Sequence, residues 1–493
     1  MRFLACIPIL FLAAEAFAGT YYFSPTGNDA NSGADWANAK SDLQAFVQTQ
    51  TVANVIYLSA GEWQMTNSWL AIPKNQKIVG DNRNSVLRGT GTNGVISLVN
   101  QTNVWLEGLT ITGGYNNNDA TISGLGGGIV GGAGGGGVYA SQTVTNCLIV
   151  SNSARRSGGG VYQMYLDGCE VSYNEAKTEN GGGGCEFRGC GNYVHHNMAT
   201  NLSGGGAISV QGTNWILSEN YAKTYGGGAY VGELYDSSII SNSCLISGGG
   251  LYQVSGTNLI ISYNVVSNGA GGGAYNSTMS NCVFIENRCL GVHRGGGMSI
   301  GTSYGCCFIS NYAAVCAGGA DYGTHYSALF FGNSAGNYAG GAFGGKYYSC
   351  LFVSNSAPNG VAGLELYGAA CAAYNCTVTG HTNAIPAVRI VNGGSLANSI
   401  LFNNASNLNV FNYGTVTTNN YVDDPMFIAG TYRIGPGSPC IDAGNNTYAV
   451  GDLDFYGSNR IVNGTVDIGA AEYQGGEAPA ATRRFLFGIL TGE

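Results

Sequence analysis

Charged residues, prolines and long apolar runs are scarce in this chain, and each scarcity excludes a class of protein. Only 10% of the 493 residues are charged, and 19 Lys and Arg against 28 Asp and Glu give a net charge of -9. This leaves no basic stripe for nucleic acid or an anionic membrane. The 44% hydrophobic share, with only 9 prolines, argues against a disordered chain. Beyond the first residues, no apolar run reaches the roughly 18 residues of a membrane-spanning helix.

Residues 1–18 have the pattern of a secretory signal peptide. Arg2 supplies positive charge, residues 3–14 are apolar, and Ala16 and Ala18 form an A-x-A cleavage site. The apolar stretch is too short to span a bilayer. We therefore expect an exported protein at the cell surface, associated with the outer membrane or extracellular, whose mature chain has no transmembrane segment.

Glycine is plentiful instead, with 81 residues, many of them in blocks of two or three. The last glycines of successive blocks are 22–24 residues apart through the middle of the chain. A fixed period of this length indicates one structural unit stacked on copies of itself. These glycines are Gly137, Gly160, Gly184, Gly206, Gly228, Gly250, Gly273, Gly297, Gly319, Gly341 and Gly363.

The two positions that follow each block differ in character. The first is apolar in every repeat, whereas the second holds aromatic, polar or charged residues. This alternation predicts a β-strand with one buried face, so we expect the second position to form an outward column. The outward column reads Tyr139, Tyr162, Glu186, Ile208, Tyr230, Tyr252, Tyr275, Ser299, Asp321, Phe343 and Glu365.

A second strand in each repeat ends in an asparagine, with an apolar residue three positions earlier. Stacking of like residues from coil to coil requires parallel, in-register strands about 4.8 Å apart. We expect the asparagines to mark bends, since Asn tolerates the left-handed conformation, and to hydrogen-bond from one coil to the next. They are Asn152, Asn174, Asn197, Asn220, Asn242, Asn264, Asn287, Asn311, Asn333 and Asn355.

These columns predict an all-β solenoid, a single-stranded parallel β-helix of about 13 coils of 22–24 residues over residues 76–415. Residues 19–75 differ from the repeat. There Leu43, Phe46 and Val47 fall at helical spacing after Ser41 and Asp42, which predicts a short amphipathic helix that caps the open end. We expect residues 416–474 to form a C-terminal cap, followed by a tail of unknown role at 475–493.

The repeats resemble right-handed parallel β-helix proteins of the pectate-lyase-like superfamily. Among these, the chain is similar to bacterial surface proteins with polymorphic outer membrane protein repeats, which carry GGAI and FxxN motifs. Residues 205–208 are a GGAI, and FxxN occurs four times, ending at Asn287, Asn311, Asn333 and Asn355. The C-terminal region resembles a choice-of-anchor Q segment. It carries that segment's marks at residues 424–427, 438–444, 452–457, Arg460 and 466–472.

The uniform repeat and the low charge favour a non-catalytic protein that displays an extended surface for adhesion or carbohydrate binding. Tyr230, Tyr252 and Tyr275 are expected to lie about 5 Å apart, as a platform for polysaccharide, a cell-surface glycan or a protein. Stacking of aromatic rings that only stabilises the solenoid is the alternative.

The second hypothesis is a polysaccharide lyase or glycoside hydrolase on the same scaffold. Its carboxylates would come from Glu186, Asp321 and Glu365 of the outward column, for which solvated surface charge is the alternative. Asp321 and Glu365 are expected two coils, about 10 Å, apart, at or beyond the upper limit for an inverting pair. The even spacing leaves no room for the long loops that usually frame a catalytic groove. No catalytic residue is therefore predicted.

The sequence gives only a weak signal for metal binding. Asp452 and Asp454 form a D-x-D in a glycine-containing turn, a candidate for calcium, with a turn or cap role as the alternative. No other cofactor is predicted.

None of the 15 cysteines forms a CxxC pair. The column pairs Cys147/Cys169 and Cys282/Cys306 are neighbours on adjacent coils, where parallel Cβ directions disfavour a disulfide. We expect most cysteines to pack as small hydrophobes.

Overall fold

The computed structural model describes residues 17–66, 69–117, 124–131, 142–382, 385–411 and 416–475. Residues 1–16 of the predicted signal peptide, residues 476–493 of the predicted tail, and Gly137 and Tyr139 of the repeat lie outside the described residues. The chain divides into two compact units, Met1–Leu245 (unit 1) and Ile246–Glu493 (unit 2). Each unit contains three parallel sheets, here named A, B and C.

The predicted helix lies near the start of unit 1, after the first strand. The α-helix Leu43–Gln48 has Asp42 as its N-cap, whose side chain accepts a hydrogen bond from the Ala45 N–H. Leu43 and Val47 are buried, and the ring of Phe46 lies 5.2 Å from that of Phe23 in the first strand. The short helix is therefore present where it was predicted and packs on the first strand. A 3₁₀-helix, Trp36–Asn38, precedes it. That residues 19–75 cap the open end of the solenoid stays a prediction.

All strand pairs of unit 1 that join its coils are parallel, and like residues fall in register. Ile149 pairs with Val171, and Val171 with Val194, steps of 22 and 23 residues. The strands of sheet A are Gly19–Phe23, Asn54–Leu58, Leu70–Ala71, Gln76–Val79, Ile96–Ser97, Val104–Glu107, Ile129–Val130, Gln142–Thr145, Val161–Tyr162, Tyr165–Asp167, Gly184–Cys185, Arg188–Cys190, Ala207–Thr213 and Ala229–Tyr235. Those of sheet B are Gly61–Met65, Ser85–Gly89, Leu109–Thr112, Leu148–Val150, Glu170–Ser172, Tyr193–His195, Ile216–Ser218 and Ser238–Ile240. Those of sheet C are Tyr115–Asn116, Ser153–Ala154, Glu175–Ala176, Met198–Ala199, Tyr221–Ala222 and Ser243–Cys244.

Unit 2 repeats this arrangement. Its sheet A contains Leu251–Thr257, Ala274–Ser280, Met298–Tyr304, Ala320–Asp321, Thr324–Tyr326, Ala342–Phe343, Lys346–Tyr348, Leu364–Tyr367, Ala372–Tyr374, Val388–Val391, Ser395–Ala397, Leu408–Phe411 and Val416–Thr418. Its sheet B contains Ile260–Ser262, Val283–Ile285, Cys307–Ile309, Leu329–Phe331, Leu351–Val353, Thr377–Thr379 and Ile400–Phe402. Its sheet C contains Val265–Val266, Arg288–Cys289, Tyr312–Ala313 and Ser334–Ala335. A 3₁₀-helix, Asn446–Tyr448, lies near the C-terminus.

The apolar positions that precede the ladder asparagines by three residues end in the phenylalanines of the four FxxN motifs, here named the phenylalanine column. This column forms the centre of the core in unit 2. Phe284, Phe308, Phe330 and Phe352 are completely buried on sheet B. Their rings stack at centroid distances of 4.7, 4.8 and 4.7 Å, with planes within 14° of one another. Burial of large aromatic rings is the main hydrophobic contribution here, and the regular stack fixes the register of each coil.

The asparagines form the predicted ladder inside each unit. From Asn152 to Asn242 in unit 1, and from Asn264 to Asn355 in unit 2, each Nδ2 donates to the Oδ1 of the asparagine one coil further on at 2.9–3.0 Å. The same Oδ1 also accepts the preceding coil's backbone N–H, as in the 3.0 Å bond from Asn287 N to Asn311. His381 takes the next position, 3.4 Å from Asn355 Nδ2. These buried polar groups are therefore satisfied by one another.

The bends themselves are displaced by one residue from the prediction. The left-handed residue is the one before each ladder asparagine, such as Tyr173 (φ 55°), Glu219 (φ 55°) or Ser310 (φ 52°). The physical reason is that the asparagine must point its amide into the core to reach the next coil. The sharp turn therefore falls on its solvent-facing neighbour.

Glycine blocks form the other corner in most coils, and residues 271–273 show why glycine is used there. Gly271 has φ +71°, a conformation that favours glycine. A Cβ on the next residue, Gly272, would lie 2.4 Å from the carbonyl oxygen of Gly296 in the following coil. This block thus combines one left-handed residue with a residue that admits no side chain.

Residues 455–471 pack along the outer face of sheet B in unit 2. Phe455, Tyr456, Ala470 and Ala471 form a buried cluster with outward-facing sheet residues. The backbone N–H of Ala470 donates to Thr377 Oγ1 at 3.0 Å. The sheet residues of the cluster are Cys307, Ile309, Leu329, Leu351 and Val353. This segment therefore covers several coils from the side.

The fold is an all-β parallel β-solenoid of about 14 turns with almost no helix, against the 13 expected. The prediction of a right-handed parallel β-helix is confirmed.

Candidate functional site

Sheet A of unit 2 carries a row of tyrosines that sequence reasoning missed. Tyr304, Tyr326, Tyr348 and Tyr374 pair in register on four successive coils. Their ring centroids are 5.0, 5.3 and 5.8 Å apart, and the angles between ring planes are 5°, 35° and 46°. We name these four residues the tyrosine stack.

The two ends of the tyrosine stack differ in whether another aromatic ring covers them. At the C-terminal end, Tyr448 packs on Tyr374 at 5.0 Å and a 60° tilt. At the other end, the residue in register before Tyr304 is Ser280, whose small side chain places no ring on that face. Tyr304 is 46% exposed. The stack therefore offers one uncovered aromatic face, while its inner members present ring edges.

Polar side chains run beside the tyrosine stack. Thr302, Thr324 and Lys346 pair in register and precede the tyrosines by two positions, so they share the same sheet face. Lys346 is exposed, and the two threonines are half-buried. Hydroxyl and ammonium groups here can hydrogen-bond a ligand that lies along the stack.

The predicted platform residues fall in both units and are half-buried. In unit 1, the Tyr230 ring lies 6.3 Å from that of Tyr225. In unit 2, Tyr252 and Tyr275 stack at 5.2 Å with planes 14° apart, which is the predicted spacing. Because stacked rings cover one another's faces, this pair offers less aromatic face than the prediction assumed. Its role in ligand binding stays a prediction.

From Ser299 onward, the outward column of unit 2 is buried, so the exposure expected for these positions is wrong. Ser299, Asp321, Phe343 and Glu365 are between 1% and 6% exposed. Phe343 packs with Cys316 and other small residues of the neighbouring corner. The corner thus folds over these positions, which the alternation of residue types does not reveal. Glu186, in unit 1, is half-buried and accepts a 2.8 Å hydrogen bond from Gln163.

The buried carboxylates have cationic neighbours. Asp321 lies 3.9 Å from Arg294 Nη1 and accepts a 3.1 Å hydrogen bond from Ser299, but its Oδ1 has no hydrogen-bond partner. Burial raises the pKa of Asp321 to about 6, although Arg294 opposes the shift. Glu365 pairs with Arg389 at 2.6 Å. Phe343 separates the two carboxylates by register, so they are two coils apart.

The two candidate calcium ligands, Asp452 and Asp454, differ in burial. Asp454 is fully buried, and its two oxygens accept hydrogen bonds from the backbone N–H groups of Tyr456, Ser458 and Glu472. Asp452 is exposed. In the part of the chain that the structure describes, no group of three or more His, Cys, Asp or Glu residues is arranged to hold a metal ion. Calcium binding at this pair remains a prediction.

The column cysteines are free, buried thiols with a specific structural role. Cys282 Sγ accepts the Leu259 N–H at 3.5 Å, and Cys306 Sγ accepts the Cys282 N–H at 3.4 Å. In unit 1, Ser237 Oγ does the same for the Trp215 N–H at 2.9 Å. Each of these thiols therefore accepts a hydrogen bond from a backbone N–H at the corner of the preceding coil. The expectation that the cysteines pack as small hydrophobes did not include this role.

Comparisons with known proteins give structural neighbours only. No family model matches the chain, and no curated protein matches it. Pectate lyase Pel9A is 12% identical with a TM-score of 0.26, over 93% of this chain and 97% of that one. XylC in complex with xylose is 10% identical with a TM-score of 0.34, over 92% and 98%. The A-module of the Azotobacter vinelandii mannuronan C-5 epimerase AlgE6 is 12% identical with a TM-score of 0.24, over 78% and 94%.

No helix within the described ranges is both long enough and apolar enough to cross a membrane.

Proposed function

We propose that this chain is an exported bacterial β-helix protein that binds a neutral polysaccharide along the tyrosine stack without cleaving it. The observation that carries the proposal is the half-exposed Tyr304, which has the Tyr326 ring stacked on one side and Ser280 in register on the other. A rigid aromatic face of this kind suits the apolar face of a sugar ring. The chain's net charge of -9 disfavours a polyanionic ligand.

The polar row beside the tyrosines supports the same ligand class. A polysaccharide along the solenoid would meet Thr302, Thr324 and Lys346 on successive coils, spaced about 4.8 Å apart. Their groups supply donors and acceptors for sugar hydroxyls. The regular coils hold the whole row rigid, so binding orders few side chains.

We further propose that the repeats belong to the polymorphic outer membrane protein type and that residues 416–474 are a choice-of-anchor Q segment that serves surface attachment. The motif residues of this segment make buried polar contacts with one another, which supports its assignment as a single folded segment. Arg460 and Glu472 form a buried ion pair at 2.8 Å, and Asp454 ties together three backbone N–H groups. Cell fractionation and N-terminal sequencing of the mature protein test export and attachment; a protein that stays in the cytoplasm contradicts them.

A glycan array probed with the mature protein tests the binding proposal, scored for both retention and cleavage. Tyr304→Ala should weaken retention on the bound glycan at least about tenfold, or about 1.4 kcal/mol. Tyr338→Ala is the matched control, because Tyr338 is 47% exposed and lies outside the tyrosine stack. Absence of retention on every glycan, or equal retention by Tyr304→Ala, overturns the proposal.

Polysaccharide cleavage is the second candidate function, and one observation favours it. Asp321 is buried, its Oδ1 accepts no hydrogen bond, and its pKa is raised to about 6, which suits a general acid near neutral pH. Release of reducing or unsaturated ends by the wild-type protein, lost in Asp321→Asn, would establish it. An array on which bound glycans stay intact supports the non-catalytic function instead.

A further inference from the structure

Two adjacent histidines in unit 1 direct the same ring nitrogen at each other. His195 ends a strand of sheet B, and His196 is the left-handed residue at the following bend, with φ 53°. This bend turns the second ring back toward the first, and the two Nδ1 atoms lie 2.8 Å apart.

The opposite nitrogen of each ring faces a carboxylate. His195 Nε2 is 3.2 Å from Glu170 Oε1, and His196 Nε2 is 2.8 Å from Glu219 Oε2. Glu170 is itself held by Arg83 at 3.2 Å. Since a carboxylate oxygen accepts hydrogen bonds, these two contacts favour the tautomer with an N–H at each Nε2.

This tautomer leaves a lone pair on each Nδ1. Two lone pairs 2.8 Å apart repel unless both interact with one Lewis acid. That acid is either a shared proton between the nitrogens or a metal ion to one side of the line that joins them. A carboxylate on the far nitrogen is the usual outer-shell arrangement of metal-binding histidine, because it fixes the tautomer and orients the ring.

Aromatic neighbours hold both rings in place. Tyr193 stacks on His195 at 4.0 Å, and Tyr173 stacks on His196 at 4.8 Å, with planes 23° and 20° apart. The His195 side chain is 10% exposed and that of His196 is 35% exposed. The pair is therefore rigid on one side and open to solvent on the other.

The nitrogen spacing selects among metals. With metal–nitrogen bonds of about 2.0 Å, two nitrogens 2.8 Å apart subtend an angle of about 90° at the metal. Right angles are typical of tetragonal Cu²⁺ and Ni²⁺ sites, and Cu²⁺ binds nitrogen ligands most tightly among the divalent first-row metals. We propose that His195 and His196 bind one Cu²⁺ through their Nδ1 atoms, with water in the remaining positions. Binding displaces the shared proton to solvent.

Titration of the mature protein with copper sulfate tests this site, followed by calorimetry and electron paramagnetic resonance. The wild type should bind one equivalent at this site and show hyperfine coupling to two imidazole nitrogens. The double variant His195→Ala/His196→Ala should bind at least about 100-fold more weakly. His293→Ala is the matched control, because His293 is an exposed histidine of unit 2.

A second variant separates loss of the site from loss of folding. Glu219→Ala removes a side chain that is 52% exposed and leaves both ligands in place. It should weaken Cu²⁺ binding about 10- to 100-fold while thermal unfolding is unchanged. Two-nitrogen coupling that persists in the double variant, or its absence from the wild type, overturns the proposal and leaves a proton-sharing histidine pair only.

Discussion

Removal of one amide from the asparagine ladder should destabilise the solenoid by an amount that its contacts define. The Asn311 side chain is fully buried. Its Nδ2 donates to Asn333 Oδ1 at 2.9 Å and to the Phe284 carbonyl at 3.0 Å. Its Oδ1 accepts from the backbone N–H and the Nδ2 of Asn287 at 3.0 and 2.9 Å.

Asn311→Ala deprives two buried backbone groups, the Asn287 N–H and the Phe284 carbonyl, of these partners. At about 1–3 kcal/mol for the unsatisfied Asn287 N–H and about 1 kcal/mol for each other lost hydrogen bond, the free energy of unfolding should fall by about 2–6 kcal/mol. Urea denaturation followed by circular dichroism measures the loss. Hydrogen exchange should locate it to the coils around residue 311, because each repeat contacts only its neighbours.

Asn337→Ala is the matched control, since Asn337 is exposed and lies in the same unit. It should change the free energy of unfolding by less than about 0.5 kcal/mol. A loss below about 1 kcal/mol for Asn311→Ala, or one equal to the control, would refute the view that the ladder is a satisfied and stabilising network.

Three further substitutions test other parts of the structure. Gly272→Ala should abolish folding or lower the melting temperature sharply, because its Cβ would lie 2.4 Å from a carbonyl oxygen, whereas Gly430→Ala, with open space around it, should cost only about 1 kcal/mol. Cys282→Ala should be less stable than Cys282→Ser in denaturant titrations, since a serine hydroxyl can still accept the Leu259 N–H. Asp321 has its pKa raised from 3.8 to about 6 in the folded state, so its contribution to stability falls as pH rises between those values. Asp321→Asn should therefore be more stable than the wild type at pH 8, by up to about 3 kcal/mol, and equal behaviour at pH 4 and pH 8 would contradict this.

The repeat made the fold predictable, because strict periodicity in one sequence fixes register, strand direction and core columns together. The phenylalanine column and the asparagine ladder followed directly from it. The bend position did not, because the left-handed residues include Tyr173, Glu219 and Ser310, which share no composition signal. The burial of Asp321 and Glu365 depends on how the neighbouring corner packs, which alternation along one strand does not encode.

The candidate site was less predictable than the scaffold. Tyr304, Tyr326, Tyr348 and Tyr374 are spaced 22, 22 and 26 residues apart, so the signal was present in the sequence. It lay in a column other than the one that directly follows the glycines. The histidine pair carried no such signal, because its carboxylate partners come from coils before and after it.

Affinity of Tyr304 variants for the glycan retained on the array tests the central claim most directly. If the uncovered ring face carries binding, Tyr304→Phe should lose less than about fivefold, since it loses only a hydroxyl, whereas Tyr304→Ala should lose at least about tenfold. Equal affinity of Tyr304→Ala and the wild type, or a loss in Tyr304→Phe as large as in Tyr304→Ala, would contradict it.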